Sequence, residues 1–388
     1  MRQGSDSARA RAAPHPPTAG RRPVGRAAGS KLAARFAVAS LCICAAGVLI
    51  ARATPTNAWR DPLDEAASMT HRAATSLLQA AAFAGDRLVV VGVLGRILVS
   101  DDHGQTWQQA AVPASADLLA VNFPSEQSGW AVGHYGVIVH SSDGGLHWTK
   151  VLDGRQEQAL IEKHFRARLA SGDATARRYL DEAELDYQYG PALPLLDVCF
   201  ETPSTGFAVG AFGQIFRTDD GGQSWQPWME HVDNPGFQHL TSIRRIGSAL
   251  VMSSERGTVF RLDRRADRFE AIVTGYNGTY FGIVGNAHRM IAFGLRGNAM
   301  ESDDGGTTWA KLQTGEESNL NAAAIVDDDR VVFATQAGRL LASGPGGARF
   351  VVAMQEAGGL TGLAAGPGRS LVATGVRGVR VVDLAQLP

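Results

Sequence analysis

The stretch "SDDGGTTW", Ser302 to Trp309, sets paired carboxylates beside two glycines, two threonine hydroxyls and an indole. Adjacent acids of this kind could hold a metal or serve as a general acid/base pair. Counting decides against both. The pattern recurs as "SDDHGQTW" at Ser100, "SSDGGLHW" at Ser141 and "TDDGGQSW" at Thr218. A catalytic pair occurs once, whereas four spaced copies point to a folding device. In that reading Asp102, Asp143, Asp220 and Asp304 accept backbone N–H bonds within their own turns. The glycines allow the backbone conformations the turn needs. Trp107, Trp148, Trp225 and Trp309 pack back between neighbouring units.

Other chemistry finds little support. The ten histidines are scattered and form no metal-ligand spacing with cysteine. Asp327–Asp329 reads as a solvated turn, without the side-chain spacing of a calcium loop. No phosphate-binding glycine loop opens a helix. The expectation is therefore a protein with no catalytic residues, no metal and no cofactor. A sialidase-like glycoside hydrolase is the enzymatic alternative, because boxes of this kind occur there. That chemistry needs a carboxylate-binding arginine triad, a Tyr/Glu pair and an Arg-Ile-Pro motif, and the chain offers only "RRIG".

A second feature keeps a fixed distance from the box. "GVLG", "GHYG", "GAFG" and "GLRG" end at Gly95, Gly136, Gly213 and Gly297, each twelve residues before its tryptophan. The same ruler finds Gly257 before Phe269 and Gly338 before Phe350, where the aspartate is lost but an aromatic remains. Gly378 anchors a last copy that meets the C-terminus. The seven anchors are 41, 77, 44, 40, 41 and 40 residues apart, so one insertion of about 36 residues accounts for the outlier. Units of about 40 residues holding four short strands, such as "LLAVNF", "GWAVG", "GVIVHS" and "HWTKVL", are propeller blades. The fold expected is all-β: a seven-bladed β-propeller over residues 54–388. Residues 151–190 form a helical insertion between blades two and three. Ala58–Ala67 are expected to supply the missing outer strand of blade seven and so close the ring.

Charge is unevenly spread. The chain of 388 residues has a formal charge of −1, yet residues 1–53 hold eight arginines and Lys31 against Asp6 alone. The remainder holds 28 bases against 37 acids, which disfavours a non-specific nucleic-acid binder. Residues 1–35 read as a basic, disordered cytoplasmic tail. Phe36–Ala51 are sixteen uncharged, mostly apolar residues, and residues 36–53 read as a signal peptide or a transmembrane anchor. Ala51-Arg52-Ala53 would serve as a cleavage site. Either way the positive-inside bias places the propeller on the periplasmic side of the inner membrane. Cys199 reads as a buried thiol, so the domain must be stable without an internal disulfide.

"AVGHYGVIVHSSDGGLHW" and "AVGAFGQIFRTDDGGQSW" carry the Asp-box, or BNR, pattern. They resemble the Ycf48/HCF136-like family of photosystem II stability and assembly factors and their bacterial relatives, over roughly residues 75–386. The resemblance implies a non-catalytic assembly-factor propeller that binds a membrane-protein partner or its exported segment through an arginine-bearing face. An accessory role beside an RND-type export system is the alternative. The propeller is expected to be a monomer. The "SSERG" blade and the helical insertion depart from the phototroph pattern.

The face in question carries the Gly-x-x-Gly turns, on the opposite side of the disc from the boxes. Arg256, Arg296 and Arg377 directly precede an anchor glycine; Arg96 and Arg339 directly follow one. Such a ring suits carboxylates through charge-assisted bonds. These five are the candidate partner-binding residues; the alternative is that they are unrelated solvated turn residues. In the insertion, Leu160, Ile161, Phe165 and Leu169 fall at helical spacing, and Asp173 reads as the N-cap of a second helix. The hairpin either overlies a rim of the arginine face or docks on the propeller side.

Overall fold

A computed structural model describes residues 60–326, 329–344, 349–366 and 370–386. The tail and the apolar segment of residues 36–53 lie outside these described residues. No helix among the described residues is long and apolar enough to cross a membrane.

The repeat folds as seven antiparallel sheets, six of four strands and one of three, each paired in sequence order. Their inner strands are Leu78–Ala84, Leu118–Asn122, Leu195–Phe200, Leu240–Ile246, Tyr280–Gly285, Leu320–Val326 and Leu360–Ala365. Each inner strand touches the next around the ring, and the seventh touches the first. Second strands such as Gly129–Gly133 and Met290–Gly294 are buried throughout, because both faces of a blade are covered by neighbours. Aromatic side chains fill the wedges between blades: Trp130 stacks on Phe200 of the next blade at 3.7 Å between centroids. The inner strands enclose a narrow central cavity of about 190 Å³ lined by Gln79, Thr241, Asn321 and Thr361. Arg244 and the buried Asp197 form an ion pair beside it.

The ring closes differently from the strand expected at Ala58–Ala67. Among the described residues blade seven keeps three strands. The described part of that segment, from Arg60, lies instead against the linker between blades one and two. The Ala67 amide donates to the Val112 carbonyl at 3.0 Å, the Ser115 amide donates to the Pro62 carbonyl at 2.8 Å, and Leu63 is buried there. Val112 and Ala114 need an apolar cover, and Leu63 supplies it. The outer strand of blade seven, Gly378–Asp383, exposes Arg380 and Asp383, which protect its free edge. Closure rests on three other contacts. The Thr361 hydroxyl donates to the Leu78 carbonyl at 2.6 Å. Gly104 packs on Val381, with no room for a larger residue. The turn Ala73–Thr75 seats on Gly378.

The insertion forms two helices, α1 (Gly154–Ala170) and α2 (Ala176–Asp186). Asp153 and Gln156 make a capping box at the start of α1. Asp173 lies two residues before the N-cap: its carboxylate accepts from the Thr175 amide and hydroxyl at 3.0 and 2.5 Å. Thr175 is the N-cap, without a side-chain bond.

Candidate functional site: the Gly-x-x-Gly face

Five blades build the same turn between their second and third strands. The amide of the residue after the anchor glycine donates back across it: Arg96 to Val93, Val137 to His134, Gln214 to Ala211, Thr258 to Glu255 and Asn298 to Leu295, at 3.0–3.4 Å. The two central residues both have positive φ, as at Phe212 (50°) and Gly213 (72°) or Arg296 (54°) and Gly297 (67°). This is the mirror-image hairpin turn that suits right-twisted strands. Glycine fits its second centre. Its first centre favours Asn, Asp or Gly, yet here it holds Leu94, Tyr135, Phe212, Arg256 and Arg296. A left-handed conformation costs such side chains about 1–2 kcal/mol each. Five equivalent turns therefore keep a large side chain at a conformational cost.

These residues are the tips of the face. Leu94 and Phe212 are 52% and 41% exposed. Arg256 and Arg296 are exposed, and their guanidinium groups meet no partner among the described residues. In blade seven Arg377 is exposed too, its Nε donating to the Ala357 carbonyl at 2.9 Å. The tips thus divide into an apolar arc, Leu94, Tyr135 and Phe212 on blades one to three, and a basic arc at Arg256, Arg296 and Arg377. The apolar arc escaped the sequence reading, although its signal was present: the residue directly before each anchor glycine.

The two arginines that follow a glycine behave differently. Arg339 pairs with Glu316 at 3.2 Å and with Gln355 at 3.2 Å. Glu316 is buried; despite that burial, amides of Ser318 and Glu317 and the Arg339 guanidinium hold its carboxyl below the usual range. Arg96 is half-buried, with Nε shut off from solvent and unpartnered. The reason is positional. The residue after the second glycine opens or directly precedes the third strand, as at Arg339 and Arg96, whereas the residue before that glycine stands at the tip.

The boxes occupy the turns between third and fourth strands, at the other end of each blade. The Asp304 carboxylate accepts from the Ser302 hydroxyl, the amides of Thr307 and Thr308, and the Thr308 hydroxyl, all at 2.7–3.1 Å. Asp102 and Asp220 repeat these bonds with Thr106 and Ser224. The Asp143 carboxylate accepts from the amide of His147, whose Nδ1 lies 2.6 Å from Oδ2. The Thr308 hydroxyl and amide hold Asp304 at about 2, and Thr106 does the same for Asp102. Trp148 and Trp309 donate from Nε1 to Gly145 and Gly306 carbonyls of their own boxes at 2.9 and 3.0 Å. In blade four Asp263 stands in for the lost box, accepting from the amides of Arg265 and Ala266.

The insertion starts at the Gly-x-x-Gly face and runs down the outside of blade three. Glu157, in the first turn of α1, lies against Gly136; the later turns meet Trp225–Pro227. Ile161 and Phe165 are buried against the blade. His164 and Arg168 both reach Glu230, at 2.6 and 2.9 Å, on the linker between blades three and four. Among the described residues, no group of acids, histidines and cysteine is placed to hold a metal ion.

Known proteins match this architecture. The BNR/Asp-box repeat family matches residues 98–109, the first box. The photosystem II assembly protein Ycf48 of Synechococcus sp. strain JA-3-3Ab is 25% identical over 320 residues, spanning 66% of this chain and 95% of its own length. The photosystem II assembly lipoprotein Ycf48 of Synechococcus sp. strain CC9902 is 25% identical over 277 residues, 65% of this chain and 80% of that one. A solved structure of Ycf48 bound to D1 peptide superposes with a TM-score of 0.59 at 19% identity, covering 82% of this chain and 95% of that chain. Ycf48 from Cyanidioschyzon merolae gives 0.58 at 16%, covering 82% and 97%. At these identities the structures speak for the fold; the sequence relatives and the box support a Ycf48-like family.

Proposed function

We propose that this Ycf48-like propeller is a non-catalytic assembly factor whose Gly-x-x-Gly face holds an exported segment of a membrane-protein partner. The observation that carries the reading is the set of tips: large side chains kept at left-handed positions where Asn or Gly would fold more easily. Their division into two arcs adds a chemical preference. The bound segment would set apolar side chains against Leu94, Tyr135 and Phe212 and carboxylates against Arg256, Arg296 and Arg377. The relatives support the class of partner, since they are named photosystem II assembly proteins and one was solved with a D1 peptide. A lipoprotein among them supports a place beside the membrane, with residues 36–53 as the export or anchoring segment on the periplasmic side.

The test is capture of membrane proteins from solubilised membranes on the immobilised full chain. Arg256→Glu, Arg296→Glu and Arg377→Glu combined should abolish retention of the partner that the wild type holds. Retention of the same partner by a folded triple variant would show that the face is not the binding surface.

A further inference from the structure

A second basic site lies on the rim, away from the tips. A cleft of about 650 Å³ opens between the tip of the helical hairpin and the linker that joins blades three and four. Arg168, Arg177, Arg178 and Arg268 surround it, against Glu230 and Asp181. Glu230 is already shared by His164 and Arg168. Arg177 has only a loose contact with Asp181, at 3.8 Å on the exposed face of α2. Two of the guanidinium groups are held in place largely by neutral neighbours. Arg178 lies 5.0 Å from the Tyr179 ring and 4.9 Å from the Phe237 ring, and donates to the Asn234 carbonyl at 3.4 Å. Arg268 donates to the Glu230 carbonyl at 2.9 Å, with Asp233 no closer than 3.7 Å. Stacked and carbonyl-bound guanidinium groups retain donors for a ligand and lose little freedom when it arrives.

The neighbouring groove says what kind of ligand. Along α1 a mostly apolar hollow of about 440 Å³ is lined by Leu160, Ala167, Trp225 and Pro227, with Lys163 and His164 beside them, and Arg168 lines both spaces. The Trp225 Nε1 donor is buried without a partner. A free anion would use the arginines and leave the apolar hollow empty. A polypeptide offers carboxylates and apolar side chains together. The acidic balance of residues 54–388 also opposes broad contact with an anionic membrane. We infer that this rim cleft is a docking site for an acidic, leucine-bearing protein segment, its carboxylates on Arg177, Arg178 and Arg268 and an apolar side chain beside Trp225. The site is independent of the tip face, so either can fail alone.

A short fluorescein-labelled peptide alternating glutamate and leucine tests this on the full chain by fluorescence anisotropy. Arg177→Glu with Arg178→Glu should weaken binding by about tenfold or more, the loss expected for charge-assisted bonds. Ala167→Glu, at an exposed helix position, should weaken it similarly without touching an arginine. All of these proteins, the reference included, carry Arg256→Glu, Arg296→Glu and Arg377→Glu, so that the tip face, which suits the same chemistry, contributes no binding. The inference is overturned if the reference shows no binding at about 1 mM peptide, or if both rim variants melt normally and bind within about twofold of the reference. It is also overturned if inorganic phosphate, or vesicles containing phosphatidylglycerol, bind through the same arginines more tightly than the peptide. Should the double arginine variant fail to fold, Ala167→Glu alone decides.

Discussion

The side-chain carboxyl of Glu157 stands against Gly136 where other blades place a backbone carbonyl of the following linker. Gly95 meets the Ala114 carbonyl, Gly257 that of Tyr276, Gly297 that of Glu316 and Gly378 that of Ala74. At each of these glycines a Cβ would collide with the oxygen. The insertion displaces the linker in blade two, and a fully buried glutamic acid fills the same space. The Tyr187 hydroxyl donates to its Oε2 at 3.3 Å, and the Gln214 amide donates to the Tyr187 oxygen at 2.7 Å.

Burial pushes Glu157 well above the usual carboxylate range, with Tyr187 opposing and Asp153 adding to the rise. A carboxyl raised in the folded state stabilises while protonated, so its contribution is full below about pH 4 and is lost as pH climbs through the raised value. Glu157→Gln keeps the shape and removes the ionisation. Urea melts should show the variant gaining about 1 kcal/mol or more over wild type at pH 8, and little at pH 4. Equal pH dependence in both would mean that Glu157 is not the titrating group.

The boxes predict the opposite acid response. Asp102, Asp143 and Asp304 are held at about 2 in the fold. Groups depressed in this way stabilise above their unfolded value, about 4, and that help disappears as pH falls towards 2. Thermal melts of Asp304→Asn should be flatter between pH 4 and pH 2 than those of wild type. Asp304→Ala should lower the melting temperature at pH 7, while the folded fraction captures partner normally.

The tips predict a conflict between stability and binding. Arg296→Asn and Phe212→Asn each relieve a left-handed side chain and should stabilise the fold by about 0.5–1 kcal/mol in denaturant melts. Both should weaken partner capture. A tip variant that is less stable than wild type would show that its side chain supports the fold instead.

The five arginines should separate by substitution. Arg339→Ala strips the partner from buried Glu316 and should cost about 1–2 kcal/mol in a thermal melt. Arg256→Ala, with no such partner, should fall within about 0.5 kcal/mol of wild type. Comparable losses in both would place Arg256 in a contact of its own.

Ring closure can be tested at blade seven. Gly378→Val would strike the Ala74 carbonyl and must adopt φ of +97°. Its melting temperature should fall, and proteolysis should begin near residues 73–78. Cleavage beginning elsewhere would assign the weakest seam to another blade.

The repeat was legible because its bonds are local. Each box closes over four residues, from Ser302 to Gly306 or Asp304 to Thr308, so spacing alone identifies it. Seven anchors about forty residues apart likewise imply seven blades, since a single blade cannot cover both of its faces. What the spacing could not carry were contacts between residues far apart in the chain. Arg339 and Arg296 look alike beside their glycines, yet Glu316, twenty-three residues from Arg339, ties down only one of them. Ala58–Ala67 read as the closing strand of blade seven, whereas the apolar surface of Val112 and Ala114, about fifty residues away, draws Leu63 onto a linker instead. The insertion's helices follow from periodicity, but their course along blade three depends on Glu230 and on the buried faces of Ile161 and Phe165. Local hydrogen bonding wrote the blades into the sequence; long-range burial and charge pairing determined which side chains remain free to meet a partner.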